Sequence, residues 1–226
     1  MSEQENSQEL RDETKLCHDE GEYAKHQGAI VPPLYQNSLF AFEDWDAIDH
    51  AFDNIADSFV YSRLMNPTVT IAEKKIAELC RGEKAKLCAS GMAAISAAIM
   101  HFVKAGDHII TIKNVYGPAN SFIGTYLKEK NNIDVTYIKG TDISEFERAI
   151  QDNTTLIYLE SPASQTFELQ DLRAVAVLAK SKGIKTVIDN TWCSPIFQKP
   201  LELGIDMKYT LLLNTCVVIV MLSVVF

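Results

Sequence analysis

The chain has 226 residues, 47% of them hydrophobic and 23% charged, with a formal net charge of −9. Such values are ordinary for a globular protein, and the length allows one large domain or two small ones. The acidic balance argues against a nucleic-acid surface, which needs clustered Lys and Arg. The five cysteines (Cys17, Cys80, Cys88, Cys193 and Cys216) form no CxxC pair and no ligand spacing with His, so no metal site is expected and a reduced, cytoplasmic setting is.

Residues 1–19 are polar and acidic, unlike a secretory signal, and residues 1–12 have a disordered composition. A helix is predicted over 44–56, with Trp45, Ile48, Phe52 and Ile55 on one stripe. Asn66 as N-cap and Pro67 in the first turn start the next helix, which carries Val69, Ala72, Ile76 and Leu79. From there strands and helices alternate. Strands are expected at 85–89, 108–112, 135–138, 155–159 and 186–188. Helices are expected at 91–103, 118–130, 143–150 and 171–182. The strands are short, mostly apolar and rich in β-branched residues, as buried parallel strands are. The order predicts an α/β fold with a mostly parallel sheet flanked by helices.

Ligands of open α/β sheets sit beyond the carboxyl ends of the strands. Those ends carry Ser90-Gly91-Met92, Asn114 to Tyr116, Glu160 and Asp189-Asn190-Thr191. A strand–Gly–helix junction such as Ser90-Gly91-Met92 can cradle a phosphate on free N–H groups, or be a plain Ser-capped turn. Asp189 can hold a protonated ring nitrogen, or cap a loop. Tyr116 can stack on a flat cofactor, or pack as an ordinary aromatic. Tyr61 and Arg63 can grip a phosphate, or stand solvated on a loop. Taken singly, the bland role is the better reading of each. His101 and His108 are isolated and read as structural.

Together the segments are more specific. Tyr61-Ser62-Arg63 with Asn66-Pro67-Thr68, Ala89 to Ala94, Tyr116-Gly117, Glu160-Ser161-Pro162 and Asp189-Asn190-Thr191 follow one another in a recognisable order and spacing. That pattern resembles the Cys/Met-metabolism (trans-sulfuration) enzymes that use pyridoxal 5′-phosphate (PLP), cystathionine synthases and lyases among them. The resemblance covers about residues 20–207 and implies the large domain of an aspartate-aminotransferase-like PLP enzyme. It also implies roles. Gly91 and Met92 would offer backbone N–H groups to the PLP phosphate. Tyr116 would stack on the ring and take part in catalysis. Asp189 would pair with the ring nitrogen, with Thr191 beside it. Tyr61 and Arg63 would reach the phosphate of a neighbouring subunit, so a dimer is the least functional unit and a homotetramer the usual one. The substrate would be a sulfur-containing amino acid, with a C–S bond cleaved or formed. Ser164 stands where many members have Asn, and Pro118 stands where methionine γ-lyases have Cys.

On this reading residues 1–60 are an arm contacting a neighbouring subunit, 61–207 are an incomplete PLP-binding domain, 208–226 are an aberrant tail, and the small C-terminal domain is missing. The family continues after Gly-Ile-Asp with a strand and a Ser-x-Ser/Thr-Lys-Tyr motif bearing the Schiff-base lysine. Here Met207 is followed by Lys208-Tyr209 and an apolar run. Lys208 stands only 19 positions past Asp189, with neither the strand nor the hydroxyl residues expected before it. Reading the codons from Met207 one base earlier permits Glu-Ile-His-Ser-Ser-Ser-Lys-Tyr, whose lysine falls 25 positions after Asp189. The expectation is a one-base deletion, an unfinished sheet with exposed edges, and a chain inactive for want of its lysine. Two alternatives stand beside it. One is a non-catalytic PLP-binding or subunit-binding homologue. The other is a tail-anchored α/β protein for a phosphate ligand, although 211–226 is shorter than the ~20 residues that span a bilayer.

Overall fold

Asp44 accepts the Ala47 N–H at 2.8 Å and starts the second of the three helices described in the N-terminal part of the chain. In this computed structural model, which describes residues 11–17, 26–211 and 220–224, these helices are α1 (Asp12–Cys17), α2 (Trp45–Asp53) and α3 (Pro67–Cys80). The chain divides into two compact units, Met1–Leu79 and Cys80–Phe226.

In the first unit Asn66 does two jobs. Its Oδ1 accepts the Thr68 N–H at 2.9 Å, which caps α3 as its position before Pro67 predicts. Its Nδ2 donates to the Tyr35 carbonyl and to Ser62 Oγ, both at 3.0 Å. The Ser62 hydroxyl in turn donates to the Asn37 carbonyl. The predicted helix forms as α2, which ends before Ile55. Trp45 and Phe52 are 80% and 57% exposed, and Ala51 is the buried residue of the helix. Trp45 and Phe52 repeat at helical spacing, yet they stay exposed among the described residues.

The second unit holds β1 (Lys84–Cys88), α4 (Gly91–Phe102), β2 (His108–Ile112), α5 (Gly117–Ser121), a π-helical turn (Phe122–Leu127) and α6 (Lys128–Asn131). It continues through β3 (Asp134–Ile138), α7 (Ile143–Ala149), β4 (Thr154–Glu160), α8 (Leu172–Ser181) and β5 (Lys185–Asp189). It ends with α9 (Ser194–Phe197), a 3₁₀ turn (Pro200–Leu203), β6 (Met207–Leu211) and β7 (Val220–Val224). The sheet order is β1-β7-β6-β5-β4-β2-β3. β7 runs antiparallel to both of its neighbours, and the other described strand pairs are parallel. The fold class is the α/β arrangement expected, and every predicted strand lies within a residue or two of its observed bounds.

One correction concerns the end of the chain. Lys208 has no strand before it, as expected, and is instead the second residue of β6, whose Met207 to Tyr209 pair with β5 so that Asp189 stands opposite Tyr209. The sheet is not left unfinished beside β6, because β7 pairs with both β6 and β1. Residues 212–219, part of the tail read as a candidate anchor, lie outside the described residues. Among the described residues no helix is long and apolar enough to cross a membrane.

The core of this unit is a sandwich of helix and strand side chains. Ala94, Ile95, Ala98 and Ile99 of α4 recur at helical spacing and are at most 2% exposed. They share one cluster with Ile109 and Ile110 of β2, Leu156 to Leu159 of β4, and Val187 and Ile188 of β5. His108 is structural, as expected. Its ring nitrogens meet Thr154 Oγ1 and Thr136 Oγ1, each at 2.8 Å, and burial lowers its pKa. The helix predicted at 118–130 forms but contains the π-helical turn. There a Cβ on Gly124 would sit 2.2 Å from the Tyr137 hydroxyl, so only glycine permits this close approach.

Candidate functional site

The carboxyl ends of the parallel strands open on one cavity of about 690 Å³. It is lined by Ser90, Gly91 and Met92 at the start of α4, Tyr116 after β2, and Glu160 and Ser164 after β4. Asp189, Thr191 and Trp192 follow from β5, and Tyr209 and Leu211 from β6. Sequence-distant residues meet here because parallel strands all present their carboxyl ends at one edge. Of the candidate residues, Gly91, Met92, Tyr116, Ser164, Asp189 and Thr191 are brought together. Tyr61 and Arg63 belong to the first unit, where the Arg63 guanidinium carbon sits 5.2 Å over the Tyr61 ring.

Ser90 is the N-cap of α4, its hydroxyl accepting the Ala93 N–H at 3.2 Å. The first N–H groups of a twelve-residue helix therefore face the cavity with their partial positive charge. A Cβ on Gly91 would meet only Leu211 Cδ1, at 3.5 Å. That is an ordinary contact, so neither crowding nor backbone strain demands glycine here.

Asp189 forms the opposite pole. It is 8% exposed. Its Oδ1 accepts the Thr191 N–H at 2.9 Å, and its Oδ2 accepts the Tyr209 O–H at 2.6 Å. Burial raises its pKa, against the hydrogen bonds from Thr191 and Tyr209 and the Lys208 charge, which pull it down. Tyr209 is itself hydrogen-bonded to the Tyr158 hydroxyl. Both tyrosines are fully buried, and burial first, then the Asp189 charge, drives their pKa values well up.

Glu160 lies between the poles. Its carboxylate takes the Tyr116 N–H at 2.6 Å and the Ser164 O–H at 2.5 Å. Burial, together with the charge of Asp189, raises its pKa to about 7 in spite of those bonds. The Ser164 hydroxyl is thereby committed to Glu160 rather than free in the cavity. Tyr116 is 45% exposed at the rim. Phe167 and Trp192 meet edge to face at 5.1 Å.

Lys208 is not in the cavity. Successive residues of a strand face opposite sides of a sheet. Tyr209 and Leu211 line the cavity, so Lys208 and Thr210 face away, and the Lys208 ammonium donates to Thr210 Oγ1 at 3.2 Å. It is fully buried, and this burial lowers its pKa against the effect of nearby Cys80.

A helix N-terminus, a buried carboxylate and a rim tyrosine thus line one cavity, an arrangement able to take an anionic group at one pole and a basic nitrogen at the other. Residues 13–210 match the Cys/Met metabolism PLP-dependent enzyme family. The chain belongs to that family.

Among the curated members of the family, an L-methionine gamma-lyase of Porphyromonas gingivalis is 41% identical over 180 residues, 79% of this chain and 45% of that protein. A cystathionine beta-lyase of Bacillus subtilis is 36% identical over 197 residues, 86% of this chain and 47% of that protein. The chain thus spans about half the length of the curated relatives it matches. A crystal structure from Campylobacter jejuni, described as an O-acetylhomoserine (thiol)-lyase with a pyridoxyl-lysine phosphate, superimposes with a TM-score of 0.86 and 26% identity. It is covered over 54% of its length by 95% of this chain.

Sequence reasoning missed Tyr158, Trp192, Tyr209 and Leu211. Trp192 directly follows the Asp189-Asn190-Thr191 motif, and that adjacency was the available signal. The other three needed the register of β6, which the apolar tail concealed.

Proposed function

We propose that residues 61–207 act as the PLP-binding domain of an enzyme of sulfur amino-acid metabolism, with the C–S bond of a cystathionine-, homocysteine- or methionine-type substrate as its target. The observation that carries this reading is the cavity between the α4 N-terminus and Asp189. The Gly91 and Met92 N–H groups would hold the phosphate, Tyr116 the ring face and Asp189 the ring nitrogen, with Thr191 steadying Asp189. PLP, when bound, supplies the electron sink that such reactions need. The arm, residues 1–60, would meet a second copy of the chain. The exposure of Ile30, Val31, Leu39, Trp45 and Phe52 supports that role. Tyr61 and Arg63 would then serve the partner's phosphate in a homodimer or homotetramer, in the cytoplasm.

The test is fluorescence of Trp192 in a Trp45→Phe background. PLP is expected to quench it with one equivalent bound, and phosphate-free pyridoxal to bind at least ~10-fold more weakly, for loss of the helix N-terminal anion contacts. Equal affinities would overturn the phosphate assignment.

Residues 1–226 by themselves are expected to bind PLP without turnover, which makes them a pseudoenzyme on their own. Lys208 supports this, because its ammonium lies on the far face of the sheet from Asp189. Lys208→Ala is therefore expected to leave PLP affinity within ~2-fold of wild type, as for residues without a shared partner. Turnover of cystathionine, methionine or O-acetylhomoserine that disappears in Lys208→Ala would contradict it.

A further inference from the structure

The Asp189 carboxylate, offered above to a ring nitrogen, already has an occupant from its own chain. We propose that Tyr209 is an internal competitor for the ring nitrogen, so that this chain holds PLP by its phosphate end and gains little at its nitrogen. The inference rests on the PLP reading of the cavity.

Three observations carry it. The Tyr209 hydroxyl donates to Asp189 Oδ2 at 2.6 Å, and Asp189 Oδ1 is taken by the Thr191 N–H. A ring N–H arriving at Asp189 must displace or share the tyrosine bond, so its net gain is the difference between two charge-assisted bonds. Tyr209 is also held in place. Asp189 and Tyr209 are direct partners across β5 and β6, and the Asn190 N–H donates to the Tyr209 carbonyl at 2.9 Å. The Leu211 N–H donates to Thr191 Oγ1 at 3.0 Å. The ring lies nearly parallel to that of Tyr158, with centroids 6.4 Å apart and the hydroxyls bonded. A fully buried side chain fixed at both ends does not swing out freely. Finally, Tyr209 belongs to the frame as written. The alternative reading of the codons after Met207 places isoleucine at position 209, which fills space but cannot donate to Asp189.

The test compares PLP with its 1-deaza analogue, in which a C–H replaces the ring nitrogen, by quenching of Trp192 fluorescence. The wild-type chain is expected to bind the two within ~3-fold of each other, since the nitrogen gains little beyond an existing bond. Tyr209→Phe, which keeps the ring and removes the donor, is expected to open a preference for PLP of ~10-fold or more. A wild-type chain that already prefers PLP by ~10-fold overturns the proposal without any variant. So does a Tyr209→Phe chain that gains equally for both molecules. If PLP binds no better than phosphate-free pyridoxal, the PLP reading itself fails and the inference falls with it.

Discussion

Asp189→Ala is expected to destabilise the protein by about 2–3 kcal/mol, read as a lower urea midpoint at unchanged slope. The carboxylate is the terminal acceptor of a buried chain of donors. Tyr158 and Tyr209 are 0% and 1% exposed, their hydroxyls are bonded, and the Tyr209 proton ends on Asp189. Without the carboxylate that O–H has no acceptor, and the Thr191 N–H loses its own at the other oxygen. Each orphaned buried donor costs ~1–3 kcal/mol. Relief of the burial penalty on the carboxylate, the same penalty that raises its pKa, offsets part of this. Asp189→Asn keeps one carbonyl acceptor and is expected to lose only about 1 kcal/mol. A variant as stable as wild type would show that Asp189 does not anchor the two tyrosines.

Glu160→Gln is expected to remove a pH dependence of stability worth up to about 3 kcal/mol between pH 4.5 and 7. The folded-state pKa of Glu160 is raised from 4.5 to about 7, first by burial. Below pH 4.5 the group is protonated in both the folded and the unfolded chain. Above that, the unfolded chain releases the proton while the folded chain keeps it. The unfolded chain then binds fewer protons, so stability falls as pH rises, until the folded group ionises near pH 7. Urea unfolding of wild type and Glu160→Gln at pH 5, 6 and 7 isolates this group from every other titration. The wild type should lose stability more steeply by about 1.4 kcal/mol per pH unit at most. Identical slopes would show that Glu160 ionises as it does in water. Since Glu160 holds the Tyr116 N–H, its ionisation also bears on the residue placed at the ring face.

Much of the site was readable because its residues end strands. Ser90-Gly91-Met92, Tyr116 and Asp189-Asn190-Thr191 each follow a short apolar run, and a parallel sheet gathers such ends at one edge. Family-like spacing then singled out those positions from others that equally suit a turn or a cap. The α2 periodicity gave the helix, but it reports an apolar face and not what covers it, so the exposure of Trp45 and Phe52 was not legible. The π-helical turn at Phe122–Leu127 coincides with a tertiary approach, Gly124 to Tyr137, between residues thirteen apart, which local pattern does not show. β6 was missed because Lys208 breaks the apolar run expected of a buried strand. Yet the sheet buries it with its ammonium bonded to Thr210. Once β6 was missed, so was the bond between Tyr209 and Asp189, which depends wholly on its register with β5.

The most direct measurement is a crystal structure of the chain with PLP bound. The phosphate is expected at the Gly91 and Met92 N–H groups, with the ring beside Tyr116 and Asp189. A phosphate bound anywhere else, with the cavity at the start of α4 left empty, would contradict the assignment of this chain as a PLP-holding half.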